Sequence, residues 1–73
     1  MTDPISDLRA AYPGRVWLDL ETGRRYCGSH PSLPLVSVCY VAAGRWAASV
    51  GAGRGHYADT PVDAVSVALD ASP

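Results

Sequence analysis

The stretch from Leu33 to Leu69 carries most of the large apolar residues and decides what this chain can become. Leu35-Val-Ser-Val-Cys-Tyr-Val-Ala42 reads as a strand, in which successive side chains point to opposite faces. Val36, Val38 and Tyr40 then share one face; Leu35, Ser37, Cys39 and Val41 share the other. Because both faces are largely apolar, this strand is expected to be central and covered on both sides. Ala43-Gly44 turns the chain into a second run, where Trp46, Ala48 and Val50 alternate with Arg45, Ala47 and Ser49. Residues 51–56 read as a glycine-rich loop. Thr60 then suits an N-cap, Pro61 the first helical position and Asp63 the third, which is close to a capping box. The helix is expected from Pro61 to about Asp70, with Val62, Val65 and Leu69 as its apolar stripe and Ala68 beside it.

The upstream segments must pack against this unit. Thr2-Asp3-Pro4 opens a short helix, with Asp3 as N-cap and Pro4 at the first position. Ile5, Leu8 and Tyr12 fall on one face, and Pro13-Gly14 ends it. Between Arg15 and Glu21 the pattern alternates: Val16, Leu18 and Leu20 on one side, Arg15, Trp17, Asp19 and Glu21 on the other. The aliphatic side is expected to face the core, leaving Trp17 on the polar face as a cover or a binding anchor. Thr22-Gly23 signals a hairpin, so Arg24 to Cys27 returns antiparallel. Residues 28–34 hold two prolines and read as a loop. Ser72-Pro73 closes the chain. The expectation is one α+β domain over residues 1–73: helix, a three- or four-stranded antiparallel sheet, helix, in αββββα order.

Composition narrows the function classes. A chain of 73 residues has room for one domain and buries only about 60% of its unfolded surface. An apolar fraction of 48% suits a folded protein rather than a disordered one. No apolar run approaches the roughly 20 residues that cross a bilayer. Met1-Thr-Asp-Pro offers neither basic nor apolar leader character, so the expected location is the cytoplasm. Two cysteines are too few for a secreted disulfide framework. The net charge of -1 is unlike that of a typical nucleic-acid binder. All six basic residues are Arg, and Lys, Asn, Gln and Phe are absent, as codon bias in a GC-rich genome would produce.

Three constellations invite chemistry. Cys27, His30, Cys39 and His56 number enough for a structural zinc site, but the spacing of the second pair is unlike that of a zinc module. The G-x-G-x-G run before His56 lacks the lysine and hydroxyl of a phosphate loop and is separated from the helix start. Ser29, His30 and Asp59 could form a triad on paper, without a nucleophile elbow or an oxyanion hole. The reading is accordingly of no enzyme, no cofactor and no metal. Arg24, Arg25, Arg45 and Arg54 lie at or near turns, where they would form either a solvated rim or, together with Trp17, a binding patch.

From Trp46 to Leu69, about a third of the chain, the residues Trp46, Ala58, Thr60-Pro61, Ala64, Ala68 and Leu69 resemble those of the small phage proteins with an ABA-sandwich domain. The resemblance implies helices packed with a sheet and a phage or prophage origin, and it transfers no catalytic residue. The element order is also similar to that of a double-stranded-RNA-binding domain, except that Thr60-Pro-Val-Asp63 stands where that family places lysines. The functional expectation is a non-enzymatic protein-binding module, encoded by a phage or mobile element, that sterically inhibits a host protein complex in the manner of anti-CRISPR proteins. Its partner-binding residues would be Trp17, Arg24, Arg25, Arg45 and Arg54. The alternative is a small nucleic-acid-binding domain using the arginine patch, and self-association through a sheet edge is a further possible partnership.

Overall fold

Strands joined by two-residue turns and short loops become antiparallel neighbours, and here the sheet follows chain order throughout. The computed structural model describes residues 3–71. The elements are α1 (Pro4–Ala11), β1 (Val16–Glu21), β2 (Arg25–Ser29), β3 (Val36–Ala42), β4 (Arg45–Val50), β5 (His56–Ala58) and α2 (Pro61–Ala71). They form a five-stranded antiparallel sheet in the order β1-β2-β3-β4-β5 between two helices. The α+β class and element order are those expected, with one strand more. That strand, β5, adds Trp46↔Ala58, Ala47↔Tyr57 and Ala48↔His56 to the edge of β4. Thr2, expected at the start of the first helix, and Ser72-Pro73, expected to close the chain, lie outside the described residues.

Local chemistry accounts for the ends. Asp63 N–H donates to Thr60 Oγ1 at 3.1 Å, satisfying one free amide of the first turn of α2. Asp3 occupies the N-cap position of α1, but its side chain makes no capping bond. The β3–β4 turn uses Ala43 at φ 52° and Gly44 at φ 76°. This pair of left-handed residues matches the twist of a tight hairpin, at a steric cost that only Ala43 bears.

Both helices lie on one face of the sheet. α2 packs on β3, β4 and β5, while α1 packs on β1 and α2. The core between the layers is Leu8, Trp17, Tyr26, Val36, Val38, Trp46, Ala48, Ala64, Val65 and Ala68. Ile5, Tyr12, Val62 and Leu69 pack around it, as the helical spacing implied.

Two expectations about faces are corrected. β3 is covered on one side only: Leu35, Ser37 and Val41 are exposed and Cys39 is half-buried. β1 sits in the opposite phase to the one expected. Trp17 is 2% exposed, while Val16, Leu18 and Leu20 are 62%, 51% and 58% exposed. The cause is in the neighbouring strand. Trp17 is paired with Gly28, and a Cβ at Gly28 would stand 2.8 Å from the indole carbons. The missing side chain makes the space that the ring fills. Trp17 Nε1–H also donates to the carbonyl of Tyr12 at 3.2 Å, so the buried ring keeps a polar partner.

This packing makes Gly28→Ala more harmful than a glycine-to-alanine change in a strand normally is. Overpacking should remove about 1–3 kcal/mol, a large fraction of what a domain this small has. Urea unfolding checks it, and an unchanged midpoint would show that the ring does not rest on Gly28.

Candidate protein-binding surface

The face away from the helices is open. Register places Leu18, Cys27, Ser37 and Ser49 in one cross-strand row, and Arg25, Cys39, Ala47 and Tyr57 in the next. Small side chains therefore floor the middle of the three inner strands, with Arg25, Leu35 and Val41 toward the ends. On the β1 edge stand Val16, Leu18 and Leu20, and on the β5 edge stands Tyr57, 58% exposed. The result is a trough with one aliphatic wall and one aromatic wall. A shallow depression of about 380 Å³ lies in it, bordered by Leu20, Arg25, Cys39, Ala47, Ser49 and Gly53.

The arginines expected to form one patch are divided. Arg24, Arg25 and Arg45 all lie at the end of the sheet that carries the β1–β2 and β3–β4 turns. Arg54 lies in the 51–55 loop at the opposite end, because successive turns of a meander alternate between ends. Asp19, Glu21 and Asp59 share the first end. Arg25 Nε stands 3.8 Å from Glu21 Oε2 in an exposed pair, and the Asp19 carboxylate accepts from Gly23 N–H at 3.3 Å. That end mixes both signs rather than presenting a basic surface.

Trp17, the fifth expected contact residue, is withdrawn into the core and does not reach the surface. Of the other aromatics, Tyr26 and Trp46 are also buried, with ring centroids 6.0 Å apart. Tyr40 and Tyr57 are the exposed ones. Tyr40 packs edge-on against Trp46, and its hydroxyl accepts from Gly44 N–H at 3.1 Å.

The other constellations are dispersed. Cys27 and Cys39 are free thiols on neighbouring strands of the open face. His56 pairs with Ala48 and so belongs to the helix side, while His30 Nδ1 accepts from Ser32 N–H in the loop at 3.1 Å. Among the described residues no three metal-ligating side chains gather. Ser29 ends β2 beside Val16, whereas Asp59 follows β5 at the other end of the sheet. β5 also separates the glycine loop from the start of α2.

Sequence reasoning missed Arg15. Its Nη1 donates to the carbonyls of Gly28 and Pro34, at 3.2 and 2.9 Å, and ties the 30–35 loop to the start of β1. Alternation alone placed it as an outward surface residue, and no local signal marks a carbonyl that comes from 19 residues away.

The fold perturbs the ionisation of Tyr26. Burial raises its pKa above the ordinary 10.0, and the Asp19 and Asp3 carboxylates push in the same direction. A raised folded pKa contributes stability that is present below pH 10 and lost as pH rises through the folded value. The urea midpoint of the protein should therefore fall above pH 10, and Tyr26→Phe should fall less over the same range. Equal declines would show that Tyr26 does not carry the effect.

Comparison with protein-family models, curated proteins and solved structures finds no match.

Proposed function

We propose that this protein is a non-enzymatic protein-binding module and that its contact surface is the open face of the sheet. The observation that carries this reading is the exposure of Val16, Leu18, Leu20 and Tyr57 around a floor of small residues. Contiguous apolar surface on a small protein marks an interaction site, whereas single exposed aliphatics do not. The chemistry favours protein over nucleic acid. The trough's charged groups, Arg25 and Glu21, offset each other, whereas affinity for a nucleic-acid backbone comes mainly from a basic excess. Arg24, Arg25 and Arg45 then act at the rim, where charge steers an encounter more than it holds a complex. The narrower form of the proposal is the inhibitor expected from sequence: a phage or mobile-element chain that occludes part of a larger host complex. Its support is the small size of the chain together with a contact face broad for that size.

Affinity capture of the tagged protein from its host, with mass spectrometry, tests the proposal. A stoichiometric protein partner should be lost with Leu18→Glu and kept with Arg9→Ala, which lies on α1 on the other side of the sheet. A partner retained by Leu18→Glu would place the contact elsewhere.

A further inference from the structure

The open face has a ridge beside a trough. Val16, Leu18 and Leu20 project from β1, and Cys27, Ser37, Cys39, Ala47 and Ser49 lie low on the next three strands. Two sheets pack face to face at about 10 Å. Across such a gap, large residues facing large ones overfill the space and small facing small leave voids. Large facing small fills it. A two-fold axis running with the strands between β2 and β3 satisfies this condition, since it lays the β1 ridge of each copy over Ala47 and Ser49 on β4 of the other and leaves β5 with Tyr57 outside the overlap. An isologous contact requires this kind of self-complementary patch.

From this we infer that, in the isolated protein, the open face is covered by a second copy of the same chain. The inference rests on the reading of this face as the contact surface, and it names the occupant. Charge is compatible with it. The Arg25–Glu21 pair leaves the face close to neutral, and the chain carries only -1, so two copies meet without strong repulsion. Area is compatible as well. Four apposed strands, at about 4.8 Å each, are about 19 Å wide, within a molecule that measures 31 × 21 × 19 Å. Apposing two such faces removes on the order of 1,000 Å² from water, near the lower bound for a specific interface. The pairing also covers the aliphatics of β1 that the single domain leaves wet, in a chain whose own core is small.

Light scattering on the purified full chain, over about a hundredfold dilution series, tests the inference. The expected mass is twice the 7.7 kDa of one chain, falling toward one chain on dilution. Leu18→Glu on the ridge and Ser37→Arg on the floor should each give a monomer with an unchanged circular dichroism spectrum. Alkylation of Cys39 by N-ethylmaleimide gives a readout that needs no variant to fold: it should be slowed in the concentrated wild-type protein and fast after dilution. A wild-type mass of one chain at every concentration overturns the inference, as does a dimer that survives both substitutions. A monomeric wild type that still captures a host protein through Leu18 overturns the second-copy assignment and leaves the contact surface standing. A dimer and a captured partner that both survive Leu18→Glu remove both.

Discussion

The seating of the Trp17 indole on Gly28 is the contact on which the rest of this structure depends. A strand has two faces, and a shift of phase exchanges them completely. In β1 the choice lies between burying one tryptophan and burying three aliphatics. The gap at Gly28, the carbonyl of Tyr12 for the indole N–H and the ring of Tyr12 at 6.2 Å decide for the tryptophan. The polar residues that share its side have uses there. Arg15 binds two carbonyls, and Asp19 accepts from the Gly23 amide. With the indole inward, Val16, Leu18 and Leu20 must point outward.

The open face follows from that choice. α1 and α2 cover the side built from Trp17, Tyr26, Val36, Val38, Trp46 and Ala48. Small side chains on the helices, Ala64 and Ala68, meet large ones on the sheet there. The opposite side reverses the arrangement, with Cys, Ser and Ala in the middle of its floor and Arg25, Leu35 and Val41 toward its ends, so whatever covers the middle must bring large residues. The β1 edge of a second copy has three of them. The proposed function and the self-pairing thus rest on one asymmetry between the two sides of the sheet.

Much of the fold was legible in the sequence. Thr22-Gly23 and Ala43-Gly44 marked hairpins, Thr60-Pro61 with Asp63 marked a capped helix, and the spacing of Ile5, Leu8 and Tyr12 marked the buried stripe of α1. The phase of β1 was not legible from β1 itself, because alternation shows that two faces exist and leaves open which is inside. The deciding residue, Gly28, sits in the neighbouring strand and reads locally as part of a loop. β5 was missed because three residues between a glycine loop and a helix cap give no periodicity. The division of the arginines could have been read from parity, since alternate turns of a meander share an end. Cys39 and His56 could likewise have been separated by face once both were placed on strands.

Proton NMR of the folded protein measures the central contact directly. With Trp17 inward, the Gly28 Hα protons lie against the indole, shift strongly upfield through its ring current and show NOEs to its ring protons. An ordinary Gly28 shift, together with NOEs from the Leu18 methyls to Leu8, would put β1 in the other phase and contradict the account.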